Sequence, residues 1–108
     1  MEQLLRGSER PDAIFSASAL GALGAMQVLK ENNIAIPDEV AIVAFTNEQF
    51  TLYTEPALTA VDQHSIPMGN AAAEIFLEEI SKTQQKFIPQ KIVLKPELVI
   101  RASSLKRK

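Results

Sequence analysis

Few side chains in this chain are equipped for covalent chemistry. His64 is the single histidine in 108 residues, and Asp62 and Ser65 stand beside it. Serine, histidine and a carboxylate are the parts of a nucleophilic triad, but triads are assembled in space, and neighbours at this spacing rarely converge. No G-x-S-x-G turn is present to expose a serine. There is no cysteine, which excludes thiolate nucleophiles, disulfides and Cys-ligated metal. One histidine cannot complete a zinc set. Neither G-x-G-x-x-G nor G-x-x-x-x-G-K-[ST] occurs, so a nucleotide phosphate has no glycine cradle. The expectation is a protein that is not an enzyme and uses neither metal nor cofactor.

Binding chemistry is better supplied. In open α/β sheets, ligands sit outside the carboxyl ends of the strands. Ser16 and Ser18 follow the first apolar run, Thr46 and Asn47 the second, and Asp62 and Gln63 the third. Short hydrogen-bonding side chains at three strand ends suit hydroxyl-rich small molecules. Phe45, Phe50 and Tyr53 lie nearby in sequence, as rings that can stack on a sugar. The same residue types also serve turns and caps, which is the competing use for each of them. Glu74, Glu78 and Glu79 read as a solvated helix face.

The elements that must position these groups follow from the pattern. Pro11-Asp12 introduces a short apolar run over residues 13–17, of strand length. Residues 19–31 read as a helix, with Ser18 as its N-cap and Asn32-Asn33 as a left-handed stop. This helix is apolar nearly all round, so more than one buried face is expected, one against a sheet and the other against another layer or another subunit. Gly21 and Gly24, three apart within it, are read as sites of close packing rather than a phosphate loop. Residues 40–45 form a continuous apolar run, as in a parallel strand buried on both faces. Residues 46–55 are a loop or short helix, and residues 58–61 a third short strand. Pro67 suits the first position of a second, one-sided helix running to about residue 84. Residues 88–94 and 97–101 are read as two strands broken by Lys95-Pro96. The fold class is therefore α/β with a mainly parallel sheet. Three strands and two helices are too few to cover both faces of such a sheet. An incomplete domain, or one completed by a second copy, is the consequence.

Composition agrees. Hydrophobic residues make up 46% and charged residues 22%, as in a globular chain. The net charge of -2 excludes a strongly basic nucleic-acid binder as a reading of the whole chain. No apolar run reaches the roughly 18 residues of a membrane span, and the first ten residues lack the apolar core of a signal peptide. No membrane partner is expected. Residues 1–10 are read as a lead segment, either a helix stub or disordered, and residues 105–108 as a basic, solubilising tail.

Six motifs in register carry a resemblance. They are Pro11-Asp12-Ala13-Ile14-Phe15, Ala22-Leu23-Gly24-Ala25 and Ile36-Pro37-Asp38-Glu39-Val40-Ala41-Ile42-Val43, then Pro56-Ala57-Leu58-Thr59-Ala60-Val61-Asp62-Gln63, Met68-Gly69, and Pro96-Glu97-Leu98-Val99-Ile100-Arg101. Their order and spacing over residues 11–104 resemble the C-terminal part of the effector-binding domain of LacI/GalR transcription regulators, a periplasmic-binding-protein-like fold. The resemblance implies two α/β subdomains around a ligand cleft, a carbohydrate or related small-molecule effector, and a cytoplasmic homodimer. DNA contact would come only through an N-terminal domain missing from this sequence. A fragment of a periplasmic sugar-binding protein serving a transporter is the alternative.

The resemblance also assigns positions. Ser18, Thr46 and Gln63 correspond to the cleft, with Asn47 able to share the role of Thr46. Leu23, Met26, Gln27, Gln49, Phe50 and Tyr53 correspond to the dimer interface. Two departures fall at the cleft. Ser18-Ala19 stands where the family often has Asn-Asp, and Ala44-Phe45-Thr46 where it often has Gly-Phe/Tyr-Asp. The second removes a carboxylate that would accept from sugar hydroxyls.

Overall fold

The computed structural model describes residues 1–81 and 89–106. The described chain falls into two compact units, Met1–Asp62 with Leu98–Lys108, and Gln63–Glu97.

The first unit opens with helix α1 (Glu2–Arg6), the helical alternative for part of the lead segment. Strand β1 (Ala13–Ser16) follows, then helix α2 (Ala19–Glu31), strand β2 (Ala41–Ala44), a 3₁₀ turn (Gln49–Leu52) and strand β3 (Thr59–Asp62). Strand β4 (Glu97–Val99) completes a four-stranded sheet of order β1-β2-β3-β4. A last 3₁₀ turn covers Ala102–Ser104. The pairs β1–β2 and β2–β3 are parallel, with Ile14 opposite Ile42 and Ala44 opposite Ala60. The sheet is thus α/β and mostly parallel, as the sequence implies.

Helix α2 begins and ends where its residue types dictate. Ser18 is in an extended conformation, and its Oγ accepts from the Gly21 amide at 3.0 Å, satisfying one of the donors that a helix start leaves unpaired. At the other end Asn33 adopts φ 57°. The Ile34 amide donates to Leu29 O and the Asn33 amide to Lys30 O, which is the Schellman arrangement. Ile34 then packs against the core, the apolar contact that accompanies this stop.

One face of α2 builds the core. Ala19, Ala22, Met26 and Leu29 are buried and pack with Val40, Ile42, Ala44 and Leu58. Fully burying a side chain such as Met26 or Leu29 contributes about 1.5–3 kcal/mol. The other side of α2 leaves Leu20 and Leu23 exposed. Among the described residues of the first unit no further layer covers that side, and another subunit is the expected cover that stays open. The two glycines also differ. A Cβ on Gly21 would lie 2.9 Å from Ser16 Oγ, whereas nothing lies within 4 Å of the same position on Gly24. Close packing is therefore the role of Gly21 only.

The C-terminal segment is stitched into the sheet by side chains. The Ser103 hydroxyl is fully buried, donates to Ile42 O at 2.6 Å and accepts from the Thr59 amide at 2.8 Å. It thereby bridges β2 and β3 where their pairing starts. Thr59 Oγ1 donates to Arg101 O and accepts from the Arg101 amide.

The second unit holds helix α3 (Ser65–Ser81). It starts two residues before Pro67, and its expected extension over residues 82–84 lies outside the described residues. No α3 residue is buried. Residues 89–94 are irregular rather than a strand, which corrects that expectation; residue 88 is not among those described. Ile92 and Val93 have strand-forming side chains but remain exposed, between Pro89 and Pro96. Strand propensity needs a neighbouring strand and a packed face to be realised.

Candidate functional site

The carboxyl ends of β1 and β2 meet at the start of α2. The Phe45 amide donates to Ser16 O at 2.9 Å, carrying the pairing of the two strands to their last residues. One residue further, Thr46 Oγ1 accepts from the Ala19 amide at 2.9 Å. That bond seats the loop after β2 on the first turn of α2 and brings Thr46 next to Ser18. Ser16 Oγ donates to Ser18 O at 2.8 Å, which fixes the connection between β1 and α2. Two predicted cleft positions, Ser18 and Thr46, are thus brought to one rim.

These hydroxyls already have work in the fold. Ser18 Oγ accepts within the helix cap and Thr46 Oγ1 within the loop contact. A hydroxyl carries one donor proton besides its acceptor pairs. Each therefore keeps its proton for a ligand oxygen or nitrogen. Phe15 and Phe45 stand at the same end of the sheet, in an edge-to-face arrangement with ring centroids 6.2 Å apart. Both rings are largely exposed.

Asn47 is held differently. Its Oδ1 accepts from Arg101 Nη2 at 3.0 Å, so the amide is tied to the C-terminal segment. Gln63 follows the last residue of β3, is half-buried and belongs to the second unit. His64 has φ 53° at the turn into α3. Among the described residues there is no cluster of three metal-ligating side chains.

A second surface lies on the first unit, between the exposed side of α2 and the 3₁₀ turn. It is an open groove of about 570 Å³. Leu23, Met26, Gln27, Phe50 and Tyr53 line it, five of the six positions assigned to an interface by resemblance. Gln49 is exposed but does not line the groove. Lys30, Glu31, Thr54 and Glu55 complete the lining. The sequence reading missed Lys30 and Glu31, although helical periodicity marks them: they lie one turn beyond Gln27 on the face of Leu23. Tyr53 is 78% exposed, more than any other aromatic ring described.

Arg101 also escaped the sequence reading as a site residue. A basic residue closing an apolar run gives no sign that its side chain turns back onto residues 47–58.

Comparison with known proteins agrees with the fold. The model of the periplasmic binding protein-like domain matches residues 1–104. The HTH-type transcriptional repressor PurR of Actinobacillus pleuropneumoniae serotype 3 is 36% identical over 103 residues, covering 95% of this chain and 31% of that protein. A LacI-type transcription regulator from Bifidobacterium animalis subsp. lactis superposes with a TM-score of 0.87 at 29% identity, over 95% of this chain and 36% of that one. The complex of the transcriptional regulator CelR with cellobiose gives 0.77 at 32% identity, over 86% of this chain and 28% of that one. The chain spans about a third of the length of the curated relatives it matches.

Proposed function

The chain belongs to the periplasmic-binding-protein-like family as a LacI/GalR-type effector-binding domain, and from that premise we propose that it senses a small polar effector and self-associates. The effector would lie at the carboxyl ends of β1 and β2, against Ser18, Thr46 and Asn47. A carbohydrate is the class favoured by the CelR–cellobiose relative. The observation that carries the reading is the Ala19–Thr46 bond, which sets two hydroxyls and two exposed rings at one end of a parallel sheet. That is where open α/β sheets receive ligands.

The groove would receive a second copy of the chain. Its lining combines apolar and aromatic side chains with Lys30, Glu31 and Glu55, a mixture that protein interfaces use. Operator contact would belong to another part of the regulator, which acts in the cytoplasm. In the intact protein the effector would bias two sensor conformations that differ in DNA affinity. The relatives are transcription regulators, which favours this reading over a transporter receptor.

The test is an NMR titration of the chain with cellobiose and D-glucose. Movement of the Ser18, Thr46 and Asn47 amides is the expected result. Binding that leaves all three unmoved would overturn the placement. Retardation of DNA by this chain alone would overturn the division of labour.

A further inference from the structure

Arg101 lies outside the proposed effector contacts and outside the groove, yet its side chain spans the segment that joins them. Nη1 donates to the Thr51 hydroxyl at 2.9 Å and to Leu58 O at 2.7 Å, and Nη2 donates to Asn47 Oδ1 at 3.0 Å. Its main chain is fixed as well, because the Arg101 amide donates to Thr59 Oγ1 at 2.8 Å. A guanidinium is planar, with its donors in fixed directions. The end of β2, the 3₁₀ turn and the entry to β3 are therefore set relative to one another by one rigid group.

The acceptors come from functionally distinct places. Asn47 adjoins Thr46 at the effector end of the sheet. Thr51 is fully buried in the turn that carries Phe50, with Tyr53 just beyond it, and both rings line the groove. Thr51 Oγ1 donates to Glu48 O and also lies 3.2 Å from Asn47 Oδ1, so the turn is closed on itself, on Asn47 directly and on the arginine. The guanidinium has no acceptor, so only the oxygen of the Asn47 amide can face it. An effector that displaces Asn47 must break the Nη2 bond or carry the guanidinium with it. In the second case Thr51 and the groove rings follow.

We propose that Arg101 is a positioning residue that couples the effector end of the sheet to the groove, by holding Asn47 and Thr51 on one guanidinium. The proposal rests on the effector and groove assignments above. Its physical core, the link from Asn47 to the turn, is tested without a ligand or a second copy.

The experiment is a double-mutant cycle on the chain, read by the amide resonances of Phe50 and Tyr53 at a concentration where it is monomeric. Asn47→Ala removes one acceptor. Arg101→Lys keeps the charge but replaces the fork with a single ammonium that cannot span three acceptors. In the presence of Arg101, Asn47→Ala is expected to move both resonances; in the Arg101→Lys background the response shrinks to what the direct Asn47–Thr51 contact carries, a non-additivity that independent sites do not show. Equal responses in both backgrounds, or none with Arg101 present, would overturn the coupling. Should Arg101→Lys fail to fold, Arg101→Gln, which offers one amide donor group in place of the fork, takes its place in the same cycle. Sedimentation of the same proteins separates the two claims. A wild-type chain that stays monomeric at high concentration overturns the groove assignment, and the resonances still decide the link.

Discussion

At the carboxyl ends of β1 and β2 the polar side chains already serve the fold: Ser18 caps α2, Thr46 holds its first turn and Asn47 receives Arg101. At the groove the side chains of Leu23 and Tyr53 are instead exposed and apolar or aromatic. The first surface is rigid because its groups are bonded inward, and it keeps only hydroxyl protons for a ligand. The second gains by burial alone. A change at the sheet end should therefore register as stability, and a change in the groove as association.

The largest effect is expected from Leu23→Glu. Leu23 is 41% exposed, so folding loses little, within about 0.5 kcal/mol for a surface position. A carboxylate buried between two copies should weaken self-association by at least about tenfold, or roughly 1.4 kcal/mol. Sedimentation equilibrium beside a thermal melt checks both halves. A large loss of stability with association unchanged would reverse the contrast between the two surfaces.

Thr46→Val tests the other side. Valine preserves the shape but leaves the Ala19 amide without its acceptor, at an expected cost of about 1–2 kcal/mol. Denaturant unfolding should show that loss while the dimer constant stays the same. Unchanged stability would mean that water replaces the hydroxyl and that the sheet end is less rigid than its bonds indicate.

Much of this contrast was legible in the residues and part was not. The bounds of α2 could be read because Ser18 and Asn33 are specific start and stop signals, and β2 because an apolar run bounded by polar residues has few other uses. The groove positions were given by resemblance, and five of the six lie together. What a sequence does not display is whether a polar side chain is already engaged. Ser18, Thr46 and Asn47 look equally available as letters, and only geometry shows which acceptor pairs are used. Arg101 illustrates the same limit, since its partners lie at positions 47, 51 and 58 and no local pattern connects them.

The glycines give a smaller and more local version of the comparison. Gly24→Ala places a methyl in open space and should stabilise the helix by roughly 0.5–1 kcal/mol, from helix propensity and a less flexible unfolded chain. Gly21→Ala offers the same intrinsic gain, but its Cβ would press on Ser16 Oγ at 2.9 Å and Ser18 Oγ at 3.1 Å. Moving either hydroxyl disturbs the cap, which is worth about 1 kcal/mol. Opposite signs in thermal melts are expected. Equal gains at both positions would show that the serines move aside freely, and that the sheet end is not the close-packed surface described.

The smallest effect is a control at the amino end of β2. Glu39 performs there, with a charge, the kind of task that Thr46 performs with a neutral hydroxyl. Its Oε2 accepts from the Ala35 amide at 2.7 Å and its Oε1 pairs with Arg10 at 3.3 Å. The Ala35 amide, and secondarily Arg10, hold the carboxyl below its ordinary 4.5. A carboxylate whose folded pKa is depressed stabilises the fold above its unfolded value, and the contribution fades as pH falls through the lower, folded value. Acidification should therefore loosen the Ala35 amide contact with a midpoint below 4.5, while the Ala19–Thr46 contact, which has no charge to lose, shows no matching step. NMR titration of Glu39 beside the Ala35 and Ala19 amides measures this. A shared transition at both amides would mean that the two ends of β2 respond as one unit, and the local independence assumed for the sheet end would fail.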